Sequence, residues 1–162
     1  MFLGTHTSKV DGKNRASVPA SFRSHILAAA PDFKGVAVFP SLKKSDPAYI
    51  GCDASYLTIL DRRIREGDFD PDEADAMARA IFSDAEMLPF DDGGRVVLSK
   101  ELRGYVGIET EALFIGKGLQ TFEVWSPEAY AARPAPTGKD FGANALSIMF
   151  NRGGRTSGGA HD

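Results

Sequence analysis

A β-rich α+β fold built from two copies of one small unit is the class this sequence predicts, on three observations. First, the stretch Asp11-Gly-Lys-Asn-Arg15-Ala-Ser-Val-Pro-Ala-Ser-Phe-Arg23 is matched by Asp91-Asp-Gly-Gly-Arg95-Val-Val-Leu-Ser-Lys-Glu-Leu-Arg103, which begins 80 residues later. The Asp, the Arg four positions on, the apolar residues at 18 or 98 and at 22 or 102, and the closing Arg all coincide. Second, short apolar runs recur after each match. Third, the matched stretches open on tight-turn chemistry. Self-similarity at a fixed spacing decides architecture before any local assignment.

Each copy starts with a strand that runs into its turn. Asp11-Gly12 and Asp92-Gly93-Gly94 mark the turns, because glycine reaches positive φ without steric cost and Asp bonds its own turn backbone. A second short strand follows, Ala16 to Val18 or Val96 to Leu98. A short helix comes next: Pro19 suits a first helical turn and Ser99 an N-cap. Phe22 and Ile26, and Leu102 and Val106, recur at i,i+4 and point to a core, and Gly107 supplies a stop. Two further strands close each copy. In the first they are Val36-Ala-Val-Phe39 and Leu57-Thr-Ile-Leu-Asp61; in the second, Ala112-Leu-Phe-Ile115 and Phe122-Glu-Val-Trp-Ser126.

Between the copies, Asp70-Pro71-Asp72-Glu73 reads as an N-cap, a Pro at the first helical position and a Glu at the third. Ala74, Met77, Ala78, Ile81 and Phe82 follow on one face, so a helix is predicted from Pro71 to about Phe82. Its acidic first turn complements the helix dipole. Beyond the second copy, a short helix from about Pro127 to Ala132 is broken by Pro134, Pro136 and Gly138. From Asn151 to Asp162 there are four Gly, two Arg and no large apolar residue, which predicts a disordered tail. The expected organisation is therefore repeat 1 over residues 1–61, an inter-repeat helix region over 62–82, repeat 2 over 83–130, a C-terminal extension over 131–150, and the tail over 151–162.

Composition narrows the function classes. The 162 residues carry 19 Lys+Arg, 22 Asp+Glu and 43% hydrophobic residues, which fits one compact soluble domain. No apolar run approaches the length of a membrane span and no signal-peptide pattern opens the chain, so a cytoplasmic location is expected. A lone Cys52 has no partner for a disulfide or a CxxC metal site. The net charge of −3 is unevenly spread: residues 1–60 sum to +3, residues 61–92 to −7 and residues 93–162 to +1. Lys9, Lys13, Arg15 and Arg23 face only Asp11 in the first 30 residues, a segment suited to a polyanion.

Other chemistries lack their residues. Asp68, Asp70 and Asp72 suggest a calcium loop, yet its sixth and twelfth positions would be Glu73 and Arg79. Gly116-Lys-Gly118-Leu-Gln-Thr121 precedes a strand rather than a helix and reads as a hairpin turn, not a pyrophosphate site. His6, His25 and His161 have no metal-ligand spacing, and no nucleophile signature appears. No enzyme, metal or cofactor is expected.

The duplicated Asp-x-x-x-Arg turn is the strongest constellation. Its first copy displays Lys13, Asn14 and Arg15, with Lys9 on the preceding strand. Arg forks onto O6 and N7 of guanine, Asn pairs with adenine and Lys neutralises phosphate. Two readings fit these residues: a donor set for DNA, or Asp11 and Arg15 simply pairing across the turn.

Two such units, each followed by small or apolar strand residues and a short helix, in a chain beginning Met-Phe-x-Gly, closely resemble the MraZ family of bacterial transcriptional regulators with two SpoVT-AbrB-like repeats. The resemblance runs from Met1 to about Tyr130. It implies a double-split β-barrel formed by tandem AbrB-like repeats, assembled into a ring that is typically an octamer. It further implies nucleoid association and sequence-specific binding to short tandem direct repeats upstream of a division and cell-wall operon. Under it the DNA-contacting arginine maps onto Arg15 and, by repeat, Arg95, with Asp11 and Asp91 as turn supports. Departures from the usual Asp-x-Lys-Gly-Arg turn are Asn14 for glycine, which Asn tolerates in a left-handed conformation, and the missing lysine in the second turn. The first repeat is therefore expected to dominate DNA contact, with Arg95 weaker or structural. A different class of function also fits an AbrB-like fold: a protein-interaction module of the antitoxin-scaffold kind.

Overall fold

Strand, tight turn, strand and helix follow one another twice in the computed structural model, which describes residues 1–134 and 145–153. The first series is β1 (Thr5–Lys9), β2 (Arg15–Ser17), α1 (Ala20–Ala29), β3 (Gly35–Pro40), β4 (Tyr49–Cys52) and α2 (Ala54–Glu66). Helix α3 (Pro71–Ala78) and a π-helical turn (Arg79–Ser83) connect it to the second. That series is β5 (Glu86–Pro89), β6 (Arg95–Val97), α4 (Lys100–Val106), β7 (Glu111–Gly116), β8 (Phe122–Trp125) and α5 (Pro127–Ala131).

Six strands form one sheet in the order β1-β7-β8-β4-β3-β5, and β2 pairs with β6 in a separate two-stranded ribbon. Every pairing is antiparallel. The order reads the same from either end once the repeats are exchanged. Each repeat's first strand leaves its own hairpin and edges the other's: His6 lies opposite Phe114, and Glu86 opposite Val38. The copies are therefore interlocked, and neither can bury its strands alone. No pairing joins β1 to β5 among the described residues, so the strands form an open sheet plus a ribbon within an α+β fold.

Both faces of the sheet are covered, which explains the unbroken apolar runs of β3 and β7. Val36, Val38, Phe114, Phe122 and Val124 face the main core, where the ribbon contributes Ala16, Val18, Val96 and Leu98 and the short helices Phe22, Ile26, Leu102 and Val106. The alternate residues Ala37, Phe39 and Cys52 face α2 and Ile81, while Leu113, Ile115 and Trp125 pack on Ala129 and Tyr130.

Local signals explain most boundaries. Ser99 caps α4 by accepting the Leu102 N–H at 3.1 Å, and Gly107 ends it at φ +80°. Asp70 and Glu73 form the reciprocal capping box expected for α3. Lys117 N–H donates to the Thr121 carbonyl at 3.0 Å across the β7–β8 turn, so this glycine-rich stretch is a hairpin.

Three expectations need correction. The segment Leu57-Thr-Ile-Leu-Asp61 is not a strand but the middle of α2. Tyr56, Leu57, Leu60 and Ile64 recur at helical spacing over the sheet, and Asp53 caps the helix by accepting the Ser55 N–H at 2.9 Å. The strand equivalent to β8 is β4, where Gly51 leaves room for the Phe122 ring; a Cβ there would lie 2.3 Å from its Cζ. Pro19 occupies the N-cap of α1 rather than its first turn. Finally, the inter-repeat helix is α-helical only to Ala78, and the wider π turn beyond it carries Ile81 into the cluster with Phe39 and Cys52.

All of these elements belong to one compact unit, Met1–Ala131. In the second unit, residues 145–148 are helical and Met149–Gly153 forms a π-helical turn. Pro136, Gly138 and residues 154–162 lie outside the described residues.

Candidate nucleic-acid interface

The ribbon has an inner and an outer face because directly opposed residues of an antiparallel pair point the same way. Ala16 lies opposite Val96, and both are buried. Arg15 lies opposite Val97 and Ser17 opposite Arg95, so these four side chains make the outer face. Alternation in Arg15-Ala-Ser-Val18 and Arg95-Val-Val-Leu98 thus anchors one side in the core and presents two arginines on the other.

Identical clasps hold both arginines. Asp11 Oδ1 accepts the backbone N–H of Lys13 and of Arg15, each at 2.9 Å, and Oδ2 accepts Arg15 Nε at 2.8 Å. Asp91 does the same for Gly93 and Arg95, with all three contacts at 2.9 Å. The turn closes when the Asp11 N–H donates to the Arg15 carbonyl at 3.0 Å and the Asp91 N–H to that of Arg95 at 2.8 Å. Such a turn needs a left-handed residue before the arginine. Asn14 supplies it at φ +62° and Gly94 at φ +76°.

The backbone N–H of Arg15, followed by its side chain, holds the Asp11 carboxyl below the usual carboxylate range; the Arg95 N–H does the same for Asp91. Both carboxylates therefore stay ionised at neutral pH. The ion pair expected from sequence is present, yet it uses only the Nε edge. Among the described residues no hydrogen-bond acceptor meets the terminal nitrogens of Arg15, whose side chain is 29% exposed. Arg95 differs, because its Nη1 leans to within 3.8 Å of Asp11 Oδ2. A guanidinium fixed along one edge with its outer fork open is pre-organised for bidentate recognition.

The remaining predicted residues surround this face. Lys13, exposed, and Asn14 sit in the first turn, while the second has Gly93 and Gly94 in their places. Lys9 is exposed at the end of β1, just before the turn, with Glu111 opposite it on β7. No group of His, Cys, Asp and Glu among the described residues is arranged to hold a metal. His6 and His25 instead bond the carbonyls of Leu3 and Leu119 at 2.9 and 2.8 Å.

Arg23, counted by sequence with Lys9, Lys13 and Arg15 in the basic segment, makes a backbone contact at the end of the ribbon. Its Nη1 donates to the Val18 carbonyl, and Arg103 Nε donates to the Leu98 carbonyl at 3.1 Å. These closing arginines satisfy strand ends that leave the ribbon. Ser17 and Val97 were missed as members of the outer face, although the period-2 alternation carried the signal.

A family model described as "MraZ protein, putative antitoxin-like" matches residues 81–134. Curated relatives cover most of the chain. The transcriptional regulator MraZ of Rickettsia akari (strain Hartford) is 36% identical over 130 residues, covering 80% of this chain and 84% of its own length. That of Parvibaculum lavamentivorans is 37% identical over 132 residues, covering 81% and 79%. That of Pelagibacter ubique is 33% identical over 152 residues, covering 94% and 95%.

Proposed function

The chain belongs to the MraZ family, and from that premise we propose that it is a transcriptional regulator that reads DNA with the outer face of the β2–β6 ribbon. One observation carries this reading: two equivalent arginines, each clasped by its own aspartate, stand diagonally across one face of a ribbon anchored in the core. A two-stranded ribbon fits the major groove, where Arg forks onto guanine. In this reading Arg15 and Arg95 contact bases, Asn14 assists, and Lys13 and Lys9 neutralise phosphates. Asp11 and Asp91 support the turns. The target is a set of short tandem repeats upstream of the protein's own division and cell-wall operon.

The finer architecture belongs to the same proposal. The interlocked strand order supports treating sheet and ribbon as parts of a double-split β-barrel made by residues 1–61 and 83–130, joined by the helical region 62–82. A chain of net charge −3 with a three-residue ribbon makes few contacts alone. A ring of about eight copies offering Arg15 to successive repeats gains affinity by effective concentration, with no new chemistry. The protein then works in the cytoplasm on the nucleoid, without cofactor or catalysis. No described helix is long and apolar enough to cross a membrane.

Fluorescence anisotropy on a duplex from the DNA directly upstream of the reading frame, and on a scrambled duplex, over a salt series, tests the reading. Tight binding that prefers the upstream duplex and falls steeply with salt is expected. Equal weak binding to both overturns it in favour of an antitoxin-like protein-interaction module, a reading in keeping with the words "putative antitoxin-like" in the family description. Co-purification of a stable protein partner is then the next readout.

A further inference from the structure

Four side chains make the outer face of the ribbon, and they fall into two equivalent pairs. Arg15 and Arg95 repeat the same chemistry. Ser17 and Val97, the second pair, do not: one half of the ribbon offers a hydroxyl where the other offers an isopropyl group. Val97 is 56% exposed, whereas its neighbour Val96 is 2% exposed. It stands directly opposite Arg15, on the same face and with no place in the core. A ribbon with identical halves would read a site with two-fold symmetry. The serine–valine difference, with Lys13 against Gly93 in the turns, gives this one polarity.

We propose that Val97 determines base preference, by seating the 5-methyl group of a thymine next to the base pair that Arg15 reads. Ser17 fills the equivalent place beside Arg95 with a donor and acceptor that bonds a base edge. This rests on the DNA reading above. Apolar contact with the thymine methyl and hydrogen bonding by serine are both available in the major groove, where the methyl distinguishes A·T from T·A. An exposed valine beside guanidinium groups has this use there and no packing role in the free protein. Each subunit accordingly reads its repeat in one orientation.

Replacing thymines of the upstream duplex one at a time by deoxyuridine removes the methyl and nothing else. For the full-length protein, one thymine per repeat is expected to weaken binding about four-fold when replaced, the worth of one buried methyl-sized group. Val97→Ser should abolish that sensitivity and Val97→Ile should keep it. Ser17→Val should create a new sensitive thymine at the equivalent position, a gain that loss of folding cannot mimic. An unchanged uracil profile in both Val97→Ser and Ser17→Val, with binding intact, overturns this inference alone. Failure of the wild-type chain to prefer the upstream duplex overturns the DNA reading and this inference with it.

Discussion

Replacing Arg15 by Ala separates the ion pair its guanidinium makes from the DNA contact proposed for it. The side chain gives one Nε contact to Asp11 Oδ2, while Asp11 Oδ1 is held by the backbone N–H groups of Lys13 and Arg15. Those backbone bonds remain in Arg15→Ala, so the turn is expected to stand and the urea midpoint to stay within error of wild type. Loss of a bidentate base contact costs about 1–3 kcal/mol, roughly a five- to 150-fold weaker Kd for each engaged subunit. A salt series identifies what is lost. Removing a phosphate contact lowers the slope of log K against log salt by about 0.9 and weakens all duplexes alike; removing a base contact leaves the slope and erases the preference. Arg15→Ala is expected to do the second and Lys13→Ala the first. Arg95→Ala should lose less, because its Nη1 already leans towards Asp11 and its turn lacks a lysine. Unchanged preference in Arg15→Ala, with the turn intact, would refute the reasoning and leave the clasp as a structural ion pair.

The remaining predictions concern the turns and the core. Gly94→Ala should lower the unfolding free energy by about 1–2 kcal/mol, because φ is +76° there and a Cβ would lie 2.5 Å from Arg23 Nε; Asn14→Gly should be close to neutral, and equal urea midpoints for the two variants would show that the second turn relaxes freely. The Asp11 and Asp91 carboxyls are held below the ordinary 3.8, so their contribution is complete above that value and is lost as pH falls through their lowered ones. Ribbon-dependent DNA binding should therefore be insensitive to these groups between pH 5 and 8, and a carboxylate-like titration in that window that disappears in Asp11→Asn would contradict it. Burial, with Asp53 adding a smaller push, raises the Cys52 thiol from 9.0 to about 12. Its stabilising contribution is complete below about pH 9 and declines as pH rises towards 12, because only the unfolded chain then loses the proton. Urea melts at pH 8 and 10 should show a larger drop for wild type than for Cys52→Ala, and equal drops would mean that the thiol is not shielded.

The geometry of the candidate site was legible because its parts are local. Asp-x-x-x-Arg with a glycine or asparagine between them specifies a turn whose hydrogen bonds lie within five residues, and duplication displayed it twice. The Ser99 cap of α4, the capping box of α3 and the left-handed stop at Gly107 are equally local, whereas α1 has no side-chain cap and is fixed by Phe22 and Ile26 meeting the core. Leu57 to Asp61 misled for the opposite reason. A short run of β-branched and leucine residues fits strand and helix alike, and the sheet beneath α2, together with the Asp53 cap, decided it.

By itself, then, the sequence determined the duplicated unit, its turns and caps, the paired arginines and the family. Tertiary structure alone decided how the copies join. The exchange of β1 and β5 between repeats, and the pairing of β2 with β6, are contacts between residues about 50 to 110 positions apart. Such pairing depends on which faces must be buried together, which a local pattern does not encode. It is this pairing that sets Arg15 and Arg95 on one surface with Val97 and Ser17 beside them, and it gives Arg23, counted by sequence among the cations of the basic segment, the same strand-end contact as its counterpart Arg103.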